Sequence, residues 1–109
     1  RMCWDMAREA AEAEGIRIGT VIIDDDVSVQ NSTYTVGRRG VAGNFFVIKA
    51  CGAASEEGRD LDQLVALGQR VNGVVRTMGV ALTGCTPPAK GKPIFTLADD
   101  EIEVGIGIH

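Results

Sequence analysis

The sequence predicts an α/β chain: the end of a parallel α/β domain over residues 1–36, then a two-layer α/β domain over residues 37–109 with helices packed on a mixed sheet. Three observations predict it. Helical and strand-like periodicities alternate along the 109 residues. Three glycines within seven residues, Gly37, Gly40 and Gly43, break any regular element between the two halves. The last nine residues, Glu101 to His109, alternate apolar with small or polar side chains, so they read as a strand with one buried face and the only histidine at its end.

Each element has its own justification. Met2 to Glu14 places Cys3, Met6, Ala10 and Ala13 three and four apart and stops at Gly15, which predicts a helix. Ile16 to Ile23 is β-branched almost throughout and opens into Asp24, Asp25 and Asp26, the pattern of a buried strand leading into a loop. Asn44 to Glu57 reads as a strongly buried helix through Phe45, Phe46, Ile48, Ala50, Cys51 and Ala54, closed by Gly58. Asp60 with Gln63 three residues later is a capping pair, and the apolar series from Leu61 to Met78 carries that helix to Gly79. Val80 to Cys85, Ile94 to Leu97 and Glu101 to Ile108 complete the sheet, the last two forming a hairpin through Ala98, Asp99 and Asp100. Thr86 to Pro93, with three prolines and two lysines, is an exposed loop.

Composition narrows the function classes. Fifteen acidic against eleven basic side chains give a net charge of −4, which argues against a nucleic-acid surface. No run approaches the ~18 apolar residues of a membrane span. Cys3, Cys51 and Cys85 are widely spaced beside apolar segments with no Cys-x-x-Cys, as expected of reduced core thiols in a cytoplasmic protein. The opening at Arg1 and the abrupt end at His109 suggest a piece of a longer polypeptide.

Several motifs carry two readings. Asp24 to Asp26 has the oxygen donors of a Mg²⁺ site, but aspartates after a strand more often cap turns. Gly37-Arg38-Arg39-Gly40 before a helix suits a phosphate, and equally a structural turn. Gly91-Lys92 is followed by Pro93 where a phosphate loop needs Ser or Thr. On the final strand, Gly105 and Gly107 share a face with His109, and glycine in a strand marks close approach to the backbone. A small ligand beside His109 fits that pattern. With an unperturbed pKa of ~6.5 its ring is mostly neutral at pH 7, the state that acts as base or nucleophile.

Four ordered stretches carry a resemblance: Tyr34-Thr-Val-Gly-Arg-Arg-Gly-Val-Ala-Gly43, Arg76-Thr-Met-Gly-Val-Ala-Leu-Thr-Gly-Cys-Thr-Pro87, Gly91-Lys-Pro93 and Glu103-Val-Gly-Ile-Gly-Ile-His109. Together they resemble the substrate-binding subunit or domain of dihydroxyacetone kinases, over essentially the whole chain. The resemblance implies that His109 binds the ketose covalently, its imidazole nitrogen adding to the carbonyl carbon to give a hemiaminal, with Gly105 and Gly107 leaving room for the substrate. It implies no cofactor on this chain. The phosphoryl donor belongs elsewhere, as ATP with Mg²⁺ in a separate nucleotide-binding domain, or as a tightly held nucleotide, ADP with Mg²⁺ recharged by a phosphotransferase chain, on a partner subunit. It implies a homodimer for the full-length protein, and acid/base residues outside this sequence. Two alternatives within the resemblance are a non-catalytic ketose-sensing coactivator and a kinase of a four-carbon ketose.

Overall fold

The computed structural model describes residues 2–28 and 37–106. Its elements are helices α1 (Met2–Ala13), α2 (Gly43–Glu56) and α3 (Leu61–Val74) and strands β1 (Val80–Ala81) and β2 (Glu103–Val104). The class is α/β, as expected.

Local chemistry sets the helix ends. At the end of α1, Gly15 takes a φ of +80°, and Ile16 N–H reaches back to Ala11 O at 3.0 Å while Gly15 N–H bonds Glu12 O at 3.0 Å, the paired bonds of a Schellman motif. Gly58, at φ +82°, closes α2 the same way, with Arg59 N–H on Ala54 O at 3.2 Å and Gly58 N–H on Ser55 O at 2.9 Å. Asp60 starts α3 through a full capping box: its carboxylate accepts from Gln63 N–H at 2.9 Å, and the Gln63 side chain accepts from Asp60 N–H at 3.1 Å. The helix stops at Val74, short of the expected Gly79, because Val75 is extended (ψ 134°) and Thr77 is drawn into backbone pairing with the segment around Asp26.

The packed centre lies where α2, α3 and the segment before the aspartates meet. At Gly68 of α3, a β-carbon would come within 3.0 Å of Val21, 3.3 Å of Cys51 and 3.5 Å of Val47, so glycine permits this three-way approach. Val47 and Ala54 are the buried apolar residues there. The helix α2 is less covered than its composition suggests: Phe45, Phe46 and Ile48 are exposed, because α3 covers a single face. The radius of gyration, 17.7 Å, exceeds the ~13 Å typical of a compact domain of about this length, which accounts for the thin core. Cys3 and Cys85 are exposed and Cys51 is half-buried, so two of the three thiols lie outside the core expected for them.

Residues 16–25 form no strand. A strand needs a neighbour to receive its backbone groups. Here the segment lies along α3 instead, with Gly19 against Leu61 and Val65, Arg17 paired with Asp62 at 2.9 Å, and Asn72 bonding Ile22 O at 3.0 Å and Asp24 Oδ1 at 2.8 Å. Its end does pair, in one parallel bridge between Asp26 and Thr77. Val27 N–H bonds Thr77 O at 2.9 Å and Thr77 N–H bonds Asp25 O at 2.9 Å. This packing joins residues on both sides of position 37.

The sheet among the described residues is β1 antiparallel to β2, with Val80 opposite Val104 and Ala81 opposite Glu103. The expected hairpin of Ile94–Leu97 with Glu101–Ile108 is therefore replaced. Residues 98–101 form a turn, Glu101 N–H bonding Ala98 O at 3.0 Å with the Glu101 side chain accepting from Ala98 N–H at 3.0 Å, and the returning chain pairs with β1. Gly79 allows that pairing, since a β-carbon there would collide with Ile106 O; Gly84 instead permits the approach of residues 94–95, where a β-carbon would collide with Phe95 O and Ile94 N–H bonds Cys85 O at 3.0 Å.

Candidate functional site

The three aspartates after Ile23 have three different uses. Asp24 is exposed and pairs with Asn72. Asp25 is fully buried, and its carboxylate is the cap of α2: Oδ1 accepts from Val41 N–H and Oδ2 from Gly43 N–H, each at 2.9 Å, while Thr77 Oγ1 donates a further short bond to Oδ2. The local N-cap residue, Ala42, has no side chain able to do this, so the cap comes from 18 residues away. Gly43 is needed for the approach, since a β-carbon there would lie 2.6 Å from Asp25 Cγ. Burial alone would raise the Asp25 carboxyl, yet the bonds from Thr77, Val41 and Gly43 outweigh it and hold the group below its ordinary value.

Asp26 is also buried, at 1 % exposure, and is paired with Arg39. The guanidinium Nε and Nη2 both reach Asp26 Oδ2, at 2.9 and 2.7 Å, and Asp26 Oδ1 accepts from Ser28 N–H at 2.9 Å. The backbones join as well, Asp26 N–H bonding Arg39 O at 3.0 Å. Burial again pushes the carboxyl up; the Ser28 N–H and the Arg39 charge and hydrogen bond pull it further down, so the net shift is downward. From this pair Arg39 Nη2 extends to Gly105 O at 2.6 Å.

Gly105 thus has both backbone groups held. Its N–H bonds Gly79 O at 2.8 Å and its carbonyl accepts from Arg39. Its φ of +85° is a left-handed conformation, and a β-carbon would sit 2.9 Å from Ser28 Cβ, so two separate constraints select glycine. The group that lies closest to the Gly105 α-carbon on this side is the Ser28 side chain. Gly107 and His109, the other two site residues expected from sequence, lie outside the described residues.

These contacts occupy the groups offered by two of the motifs, the aspartate run and the arginine turn. The amino terminus of α2, which suits a phosphate, is filled by the Asp25 carboxylate, and Arg39 is committed to Asp26 and Gly105. Arg76 donates to the carbonyls of Asn72 and Val75, at 3.3 and 2.6 Å. Among the described residues no group of three His, Cys, Asp or Glu side chains is placed to hold a metal ion. The aspartate trio therefore caps and pairs within the protein. Sequence reading missed that Asp25 and Arg39 are joined to elements far along the chain; the signals were the acidic run and the paired arginines. An open cleft of about 700 Å³, lined by Glu12, Arg17, Leu61, Val65 and Gln69 among others, shares no residue with this network.

The family model of the Dak1 domain matches residues 1–109. The dihydroxyacetone-binding subunit DhaK of PTS-dependent dihydroxyacetone kinase 1 from Listeria innocua is 52% identical over 108 residues, 99% of this chain and 33% of that protein. The corresponding subunit of the PEP-dependent kinase of Escherichia coli is 49% identical over 106 residues, 97% of this chain and 30% of that protein. Among solved structures, the dihydroxyacetone kinase operon co-activator Dha-DhaQ matches with a TM-score of 0.82 at 35% identity, covering 96% of this chain and 32% of that one. The chain spans about a third of the length of the curated relatives it matches. On the match of all its 109 residues, the chain belongs to the Dak1 domain family.

Proposed function

We propose that this chain is the ketose-binding part of a dihydroxyacetone kinase, with His109 as the covalent anchor and Gly105 and Gly107 lining the place of the substrate. The observation that carries the reading is the 52% identity over nearly the whole chain to a protein named a dihydroxyacetone-binding subunit. The doubly held Gly105, four positions before His109, supports it.

The chemistry is an addition. A lone pair on one imidazole nitrogen forms a bond to the carbonyl carbon, the π pair of C=O passes to oxygen, the alkoxide takes up a proton, and the proton on the other ring nitrogen leaves. Glycerol, with an alcohol at that carbon, cannot react so. Capture therefore selects ketose over polyol by bond type, and it holds the terminal hydroxyl for in-line phosphoryl transfer, which depends on positioning and charge stabilisation. Nucleotide and Mg²⁺ supply the phosphoryl group and neutralise its charge. The amino terminus of α2 does not fit that group, because Asp25, Asp26 and Arg39 there are committed to one another and to backbone. A nucleotide-binding partner domain or subunit, linked to a phosphotransferase chain, belongs to the same proposal, as do a homodimer and a cytoplasmic setting. The names of the relatives, PTS-dependent and PEP-dependent, support the phosphotransferase link. Among the described residues no helix is long and apolar enough to cross a membrane.

The test is nitrogen NMR of the histidine ring in the complete natural polypeptide, titrated with dihydroxyacetone and separately with glycerol. A tetrahedral-adduct signal with the ketone alone is the expected result; no change with either sinks the assignment of His109. A second reading, a ketose-sensing coactivator, has one observation in its favour, the match to the co-activator structure. Phosphoryl transfer to dihydroxyacetone in the presence of a nucleotide-loaded partner subunit favours the kinase; adduct formation without transfer favours the sensor.

A further inference from the structure

We propose that Asp26 and Arg39 are positioning residues for His109, setting the direction in which the chain leaves Gly105. The inference rests on the functional reading above. Arg39 is the one described side chain that hydrogen-bonds the Gly105 carbonyl, at 2.6 Å, and it does so from a side chain that is 18 % exposed and already held by Asp26. Both ends of that arrangement are anchored. Asp26 is tied to Ser28 N–H, to the backbone of Arg39 and, through the parallel bridge, to Thr77.

Geometry makes Gly105 the point where direction is decided. Strand β2 ends at Val104, and the left-handed φ of Gly105 turns the chain there. Once its N–H is on Gly79 O and its carbonyl on Arg39, the peptide plane after Gly105 has little freedom to rotate. Four residues of chain reach at most about 14 Å, so an anchor at Gly105 acts at short range on position 109. A charge-assisted bond from a planar fork suits the task, since one guanidinium can serve a carboxylate and a carbonyl together in fixed geometry. The part of Arg39 is to hold the segment from which the nucleophile is presented, and misplacement by about 1 Å can cost ~10²-fold in an enzyme rate.

The experiment uses the complete natural polypeptide and reads two quantities for each variant: the thermal midpoint, and the affinity for dihydroxyacetone from the His109 adduct signal. Arg39→Lys keeps a cation beside Asp26 but loses the fork. Asp26→Asn combined with Arg39→Met removes both charges together, so no buried ion is left unpaired. The expected result is a folded Arg39→Lys protein, its midpoint near that of the parent, with adduct affinity lowered about tenfold, and a loss at least as large in the double variant if it folds. Unchanged affinity in a folded Arg39→Lys protein overturns the positioning role and leaves the function of His109 standing. Absence of any adduct in the unaltered protein sinks the functional reading and the positioning role with it.

Discussion

Arg39 donates to the carbonyl oxygen of Gly105 at 2.6 Å across 66 positions of sequence, while the same guanidinium pairs with Asp26. One cation thus joins the acidic loop, the turn before α2 and the carboxyl end of β2.

Gly105→Ala forces a β-carbon into a left-handed backbone, at roughly 1–2 kcal/mol for the conformation, and presses it against Ser28 at 2.9 Å. A stability loss of at least ~1 kcal/mol in a denaturant melt is expected. A loss under a few tenths would mean that the turn relaxes freely.

Two glycines of α2 should respond with opposite signs to the same substitution. Gly52 has nothing within 4 Å of an added β-carbon, so Gly52→Ala should stabilise by about 0.5–1 kcal/mol through helix propensity. At Gly43 that gain is overcome, because the β-carbon meets the buried Asp25 carboxylate and strains bonds to a charged group worth ~1.5–3 kcal/mol each. Gly43→Ala should cost about 2 kcal/mol. Equal shifts in the two melts would refute the cap assigned to Asp25.

Asp60→Ala removes the capping box of α3 and should cost about 1 kcal/mol, read as a lower denaturant midpoint at unchanged slope. An unchanged midpoint would show that the first turn of α3 is held by its packing alone.

Acid should weaken the protein through Asp25 and Asp26. Both carboxyls are held below their ordinary 3.8, so the unfolded chain takes up protons first as pH falls. Their contribution is fully present above about pH 4 and is lost as pH drops through the folded values. Melts between pH 7 and pH 2.5 should decline below about pH 4, and Asp25→Asn, less stable at neutral pH, should show a shallower decline. Parallel acid limbs for the two proteins would refute the assignment to Asp25.

His109→Asn removes the nucleophile of the proposed capture. The adduct signal should vanish, and phosphoryl transfer supported by the complete polypeptide should fall by about 10² or more as covalent positioning is lost. Transfer within threefold of the parent would show that the ketose is held by noncovalent contacts.

Much of the helical layout was legible because its causes are local. Gly15 and Gly58 end α1 and α2, and Asp60 with Gln63 opens α3, each through bonds spanning a few residues. Less legible were features that need a distant partner. Residues 16–23 have the composition of a strand, but they lie on α3 through Gly19, Val21 and Asn72. Val75 to Thr77 fit a continuing helix until Thr77 is claimed by Asp25 and Val27. The apolar pattern of α2 marks Phe45, Phe46, Ile48 and Ala54 alike as interior, yet of these only Ala54 is buried, and Val47, which that pattern left out, is buried as well, since a pattern cannot say which face a neighbour will cover. Gly107 and His109 were candidates from sequence, and both lie outside the described residues.

By itself the sequence determined the α/β class, the three helices with the glycine stops of α1 and α2 and the capping box of α3, and the ordered motifs of the family, because periodicity, capping and turn chemistry act within a few residues. Only the tertiary structure decided that Asp25 caps α2 from 18 residues upstream, that β1 rather than Ile94–Leu97 partners β2, and that Arg39 is spent on Asp26 and Gly105 rather than left for a phosphate. A buried charge takes whichever partner the fold brings within hydrogen-bond reach, and that choice depends on distances between elements that sequence separation does not encode.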